Sequence, residues 1–473
     1  MTLIHAFTAI FALLASTVVA VTPIDVQGSQ FVNSNSKKRF QIIGVDYQPG
    51  GSSGYDEKSG TDPLSDGDIC LRDAALLQRL GANTIRIYNV NPKTNHDLCA
   101  SIFNAAGIYM ILDVNAPVGH QSLNRIDPKS TYHKGYMERV FGVVEAFKNY
   151  PNTLAFFGGN EVINEDAVKE VPAYIRAVQR DMKEYIANHS PRKIPVGYSA
   201  ADIRDILEDT WAYMGCEIED SPASRSDFFG LNSYSWCGDA TYTSSGYDKL
   251  VEQFSETSLP VFFSEYGCNK VQPRNFTEVG ALYGKEMTKA LGGGLVYEYS
   301  QEKNDYGLVQ LHDNKTASLL IDYDNLMEQY SQIDIPLLES LNPAATSIKP
   351  PKCSPDLIKD TKYFENDFKI PEAPESVPEM IKNGINNPTQ GKLVEVKDTK
   401  PKYEVYDHEG RALEGLELKK LEESESNLPG KNSAGVAGSG SAKDKKKAAA
   451  NMVSSSNALS LISVLTGFTL LMV

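Results

Sequence analysis

The chain has 473 residues, with 61 Asp and Glu against 46 Lys and Arg, a formal net charge of −15 and a pI near 5.1. So acidic a balance disfavours a nucleic-acid backbone as ligand and suits an extracellular domain or a neutral substrate. Six cysteines, at 70, 99, 216, 237, 268 and 353, form no CxxC pair, and no HExxH occurs. No metal and no cofactor is therefore expected.

The first twenty residues, "MTLIHAFTAIFALLASTVVA", are strongly apolar over Ala9–Ala20 and end with Val18 and Ala20 in the small-residue pattern of a cleavage site. They read as a signal peptide, with the mature chain starting at Val21. In a secreted chain an even number of cysteines makes disulfides the default, and six cysteines allow 15 connectivities. Apolar runs of strand character follow at 39–47, 83–90, 108–115, 153–159, 193–199, 228–236, 259–267 and 292–300. Between them lie segments of helical pattern, among them 68–81, 136–150 and 167–189. Buried strands alternating with amphipathic helices indicate parallel βαβ units, and eight of them in this span predict a (β/α)8 barrel. The competing open, doubly wound sheet normally uses fewer strands and often starts on a phosphate-binding turn. "PGGSSGYDEKSG" (49–60) has no GK[ST] and reads instead as a long loop at the rim of a cleft. Asn188, Asn275 and Asn314 open N-x-S/T sequons and are expected to be glycosylated.

Two runs share an unusual ending. "TLAFFGGNEV" (153–162) is built for a core and ends on Asn160 and Glu161; "PVFFSEYGCN" (260–269) runs two phenylalanines into Ser264 and Glu265. These acids close the fourth and seventh strands. In a barrel all C-terminal strand ends face one mouth, where barrel enzymes keep their sites. Cleavage of a glycosidic bond needs such a pair: one acid protonates the leaving oxygen, and the other attacks the sugar carbon or activates water. Strand-end acids also serve as ion-pair partners of neighbouring strands, and spacing alone does not separate the two readings.

"GGNEV" and "SEYGC", with "GVDYQPGGSS" near the start, resemble the fungal β-1,3-glucanosyltransferases, glycolipid-anchored enzymes that remodel cell-wall glucan. The resemblance covers roughly residues 22–350. It implies a retaining transglycosylase that cuts internal β-1,3-glucan bonds and joins the new end to the 3-hydroxyl of another glucan chain. Glu161 matches the acid/base and Glu265 the nucleophile. Asn160 matches the residue that bonds the sugar 2-hydroxyl, and Tyr234 a tyrosine beside the nucleophile. Gln48, Tyr88, Asp113, Tyr297 and Tyr306 match further positions along the sugar groove, where tyrosine offers a flat apolar face with a polar tip. The resemblance also implies pairing of Cys70 with Cys99, Cys237 with Cys268, and Cys216 with Cys353. The implied partners are glucan donor and acceptor chains, with no nucleic acid, and a monomer is expected. A hydrolysing endo-β-1,3-glucanase and an inactive glucan-binding wall protein are the alternatives.

No cysteine follows Cys353, so the cysteine-rich carbohydrate-binding module that some members carry is not expected here. The catalytic domain is accordingly set at 21–353. A small appendage or linker follows at 354–425, in which "YDHEGR" gives a hairpin turn between alternating runs. Residues 426–451 read as a flexible tether. The end "ALSLISVLTGFTLLMV" (458–473), preceded by small residues and a polar spacer, has the marks of a glycolipid-anchor signal. Removal of 452–473 would leave the anchor on Asn451, with Gly438 to Ser441 as the other candidate stretch. The expected location is the cell surface, on the plasma membrane or in the wall.

Overall fold

The computed structural model describes residues 20–164, 167–340 and 348–430. Most of the signal segment, the tether beyond 430, Asn451 and the apolar C-terminal run lie outside the described residues, whereas the first residues expected in the tether are fixed to the barrel, with Asn427 fully buried. Eight strands close into a parallel barrel: β1 (Ile42–Asp46), β2 (Thr84–Ile87), β3 (Tyr109–Asp113), β4 (Thr153–Asn160), β5 (Val196–Ala201), β6 (Phe229–Asn232), β7 (Val261–Tyr266) and β8 (Gly293–Val296). Each pairs with its sequence neighbours, and β8 pairs with β1 to complete the ring. Helices alternate with the strands. They include α1 (Gly67–Leu80), α2 (Asp97–Ala105), α3 (Lys134–Phe147), α4 (Val171–His189), α5 (Arg204–Gly215) and α6 (Tyr247–Phe254).

Local chemistry sets the element ends. The Asp66 side chain accepts from the Asp68 and Ile69 amides and starts α1, while Gly81, at φ 94°, ends it in the left-handed conformation that glycine adopts without strain. Helix α4 begins at Val171 rather than 167, with Pro172 in its first turn, where a missing N–H costs nothing. The expected first strand, 39–47, is two strands: Arg39–Phe40 pairs antiparallel with Gln30–Asn33, and β1 starts after Gln41. That small N-terminal sheet (Ile24–Gln27, Gln30–Asn33, Arg39–Phe40) supplies Ile24, Phe31 and Phe40 to a cluster with Tyr109, Phe157, Phe228 and Phe262. Aromatic rings thus fill the barrel from its N-terminal end, which leaves the C-terminal end as the open mouth.

Residues 353–430 wrap the outside of the barrel with little regular structure. The strap is held by its backbone: the Lys359 and Asp360 amides donate to Asp209, Arg180 bonds Pro371 O, and Asn188 Nδ2 donates to Ile381 O at 2.9 Å. Further on, the Lys392 amide meets Asp97, Val394 N meets Ser101 Oγ, and Gln78 and Lys419 exchange two bonds. Asn427 Nδ2 finishes on the Gln78 and Ala82 carbonyls. The "YDHEGR" turn closes through Asp407 N to Arg411 O, and Leu413 N returns to Val405 O. Three disulfides form: Cys70–Cys99, Cys216–Cys353 and Cys237–Cys268. Of the sequon asparagines, Asn188 and Asn314 are exposed and Asn275 is half-buried.

Candidate active site

Glu265, near the end of β7, is almost completely buried, and three donors converge on its carboxylate. Tyr88 Oη donates to Oε1 at 2.8 Å, Arg86 Nη1 to the same oxygen at 3.2 Å, and Tyr234 Oη to Oε2 at 2.7 Å. Tyr88 directly follows β2 and Tyr234 lies two residues past β6, so strand ends from opposite sides of the ring meet at one acid. Burial pushes the Glu265 carboxyl up, Arg86 is the largest opposing influence, the charge of Glu161 adds to the rise, and the two tyrosine bonds hold it down. Both phenols are themselves pushed well above their usual value, burial being the first cause, and so they remain protonated donors.

Arg86 is the group that sequence reasoning missed. Its Nε and Nη2 clasp Asp113 at 3.0 and 2.9 Å, and Nη1 reaches Glu265. The guanidinium lies 4.3 Å from the Tyr88 ring centre and 4.5 Å from that of Phe157, a sandwich of cation–π contacts. Asp113, expected on the sugar groove, thus spends both carboxylate oxygens on Arg86. A charged residue inside "NTIRIYNV", a run otherwise fit for a core, was the available signal.

Glu161 follows β4 with φ 48°, in the left-handed region, a cost of about 1–3 kcal/mol that the surroundings must offset. Its amide donates to Ser199 O at 2.9 Å and its carbonyl accepts from Arg125. The side chain is half-buried, and Oε1 accepts from Asn232 Nδ2 at 2.8 Å. Asn232, the last residue of β6, also donates to Asn160 Oδ1 at 3.1 Å. Its own Oδ1 faces the Ser199 and Ser264 hydroxyls at 3.0 and 2.7 Å, which fixes the amide with its NH2 toward Glu161. Gly230 makes room for this network: a Cβ there would stand 2.6 Å from Ser264 Oγ. Asn232 was also not anticipated. Its position at a strand end, beside Ser233 and Tyr234, was the clue.

The remaining expected residues divide. Tyr297 and Tyr306 stand with their ring centres 5.3 Å apart, Tyr306 lies 5.6 Å from Tyr234, and Tyr88 lies 6.4 Å from Tyr297, so four tyrosines form one connected cluster at the mouth. Gln48 is buried and shapes the loop after β1, accepting from Asn89 N and donating to Gly51 O. Next to Tyr297, Glu298 accepts from Asn304 at 3.0 Å, and burial pushes its carboxyl up to about 7. The Cys237–Cys268 bridge ties the loop bearing Tyr234 to the loop behind Glu265. Among the described residues no cluster suited to a metal ion occurs.

A barrel with two carboxylates at its mouth, one clamped by tyrosines and an arginine and the other oriented by an amide, defines a class of enzymes that work on glycosidic bonds. Residues 13–334 match the glucanosyltransferase family, glycoside hydrolase family 72, and the chain belongs to it. It is 60% identical over 434 residues to 1,3-beta-glucanosyltransferase gel2 of Aspergillus fumigatus, covering 92% of this chain and 90% of that one. It is 48% identical to the probable 1,3-beta-glucanosyltransferase GAS3 of Saccharomyces cerevisiae, over 80% of this chain and 76% of the other. The solved structure of Saccharomyces cerevisiae Gas2p in complex with laminaripentaose superposes with a TM-score of 0.68 at 36% identity, covering 76% of this chain and 78% of that one.

Proposed function

We propose that this protein is a β-1,3-glucanosyltransferase acting by double displacement. Glu161 protonates the bridging oxygen of an internal β-1,3 linkage while Glu265 attacks the anomeric carbon, which leaves a glycosyl ester on Glu265 and a free chain end that departs. Glu161 then takes the proton from the 3-hydroxyl of a second glucan, whose oxygen displaces Glu265 and forms a new β-1,3 bond with the configuration retained. The observation that carries this reading is the set of three donors on Glu265. They hold it as an oriented anion, as a nucleophile requires, while Glu161 at the solvent side has a single amide contact and room to exchange a proton. Asn160 stands beside the acid/base, where the sugar 2-hydroxyl would lie, and the tyrosine wall offers faces for successive glucose rings.

Transfer in preference to hydrolysis requires that a sugar hydroxyl occupy the acceptor side before water does. The apolar faces of Tyr234, Tyr297 and Tyr306 favour such a sugar. Location at the cell surface, through a signal peptide and a glycolipid on Asn451, completes the reading and fits glucan remodelling in the wall. The test of the chemistry is a 2-deoxy-2-fluoro β-glucosyl fluoride extended with β-1,3-linked glucose. It should accumulate as an ester on Glu265, located by peptide mass spectrometry. An ester on another carboxylate, or inversion in the product, would refute the assignment.

A further inference from the structure

Asp46 ends β1 on the floor of the same mouth and has no assigned role. In the β1–β2 register it lies beside Arg86, and its main-chain carbonyl accepts from Tyr299 N. The side chain is completely buried, and neither carboxylate oxygen has a hydrogen-bond partner among the described residues. That is the opposite of Glu265, which has three donors. The charged and titratable groups facing Asp46 are Arg86 on β2, Asp113 on β3, Glu265 on β7 and Glu298 after β8, with Tyr88, Tyr234, Tyr297 and Tyr330 around them. One guanidinium thus serves the centre, and Asp113 already takes its bidentate edge. Two carboxylates cannot share the rest of that charge in a dry site as anions, so one of them keeps a proton.

We propose that Asp46 is a positioning residue that stays uncharged and holds the proton Glu265 gives up, so that Arg86 and the two tyrosines serve the nucleophile alone. The donor count decides which of the two acids is neutral: each hydrogen bond to a carboxylate favours its charged form, and Asp46 has none. Burial, together with the neighbouring acids, drives its carboxyl well upward, with Arg86 opposing. The role of Asp46 rests on the reading of Glu265 as nucleophile, whereas its protonation does not.

The experiment compares the intact protein with Asp46→Asn, which mimics a neutral acid. The wild-type minus variant infrared difference spectrum at pH 6 should contain a protonated-carboxyl C=O band, since the bands of Glu278 and Glu298, which burial raises to about 7, are common to both proteins and cancel. Unfolding measured from pH 4 to 8 should show wild-type stability falling with rising pH by up to one proton more than in the variant, because only the folded wild type retains that proton. The acid limb of kcat/KM should keep its wild-type position in Asp46→Asn. A missing band with parallel stability curves would overturn the proposal, and so would an acid limb moved down by a unit or more, since that means a charge was removed from beside Glu265. If asparagine prevents folding, Asp46→Ala serves for the same subtraction. Should Glu265→Gln keep full activity while the band is present, the nucleophile assignment fails and the protonated Asp46 stands.

Discussion

Arg86 Nη1 lies 3.2 Å from Glu265 Oε1 while the far edge of the same guanidinium clasps Asp113 at 2.9 and 3.0 Å. One buried cation therefore ties a strand-seven acid to a strand-three acid across the barrel. Breaking a buried pair by removing one partner leaves the other uncompensated and costs about 3–5 kcal/mol. Asp113→Ala should lower the unfolding free energy by about that amount, read from urea denaturation. Its activity should fall as well, because Arg86 then turns toward the unmatched space. An unfolding curve superimposable on that of the wild type would show the pair to be unimportant.

Tyr88 and Tyr234 each give Glu265 one charge-assisted hydrogen bond, worth about 1.5–3 kcal/mol. Tyr88→Phe and Tyr234→Phe should each slow formation of the glycosyl ester by about 10- to 100-fold, measured in single turnover. Both substitutions also remove a donor that holds the anion, so the acid limb of kcat/KM should move to higher pH. A shift to lower pH would contradict the assigned direction of those bonds.

The Asn232 side chain orients Glu161 and makes its hydrogen bonds to Glu161, Asn160, Ser199 and Ser264 rather than to the Glu265 carboxylate, although the two residues are main-chain neighbours on β6 and β7. Asn232→Ala should therefore weaken acid catalysis while sparing the nucleophile, with a loss of about 10²-fold on natural glucan, within the usual range for general acid catalysis. A laminaribiosyl donor with a dinitrophenolate leaving group needs no proton, and its first step should be nearly unaffected. Equal losses on the two donors would mean that Asn232 acts elsewhere.

Much of this was legible in the sequence, and the limits are physical. Strands such as "YMILD" and "VFFSEY" stand out because both faces of a barrel strand are buried, which turns each into an apolar run, and the acids at 161 and 265 stand out by interrupting that pattern. Arg86 and Asn232 were hidden because their partners come from strands far away in sequence, and one chain does not reveal which strand ends meet. The strap was hidden for another reason. Its residues are held by main-chain bonds to side chains such as Asp97, Asp209 and Gln78, and those bonds leave no periodicity in composition. The split of 39–47 between two sheets was likewise invisible, since both halves are buried and extended.

The Cys216–Cys353 bridge fastens the start of the strap to the barrel, and the fully buried Arg176 donates to both sulfurs at 3.4 Å. Cys353→Ser should cost about 2–5 kcal/mol, as the loss of a native disulfide commonly does. The effect should appear as a lower thermal midpoint and as earlier proteolysis within 354–430. Unchanged cleavage there would show that the strap is held by its hydrogen bonds alone.

Two further buried carboxyls set a pH dependence. Burial raises Glu278 and Glu298 from an ordinary 4.5 to about 7 each. In the unfolded chain both ionise near about 4.3. The folded state therefore retains protons that the unfolded state has lost, and the stability they confer is complete below that value and lost as pH rises through about 7. The thermal midpoint should decline between pH 5 and 8, and Glu278→Gln should flatten part of that decline. A midpoint that rises over the interval would contradict the burial seen for these groups.

The most direct test of the central claim is the length distribution of products from end-labelled β-1,3-glucan oligosaccharides, followed over time. Wild-type protein should yield chains longer than the starting material, with only β-1,3 linkages. Glu265→Gln should lose that activity by about 10³-fold or more, as removal of an essential nucleophile does, and Glu161→Gln by about 10²–10⁴-fold, in line with the loss of a general acid. Products that are only shorter than the substrate at every concentration would identify a hydrolase and contradict the account. Full activity in either variant would remove the acid pair from the chemistry.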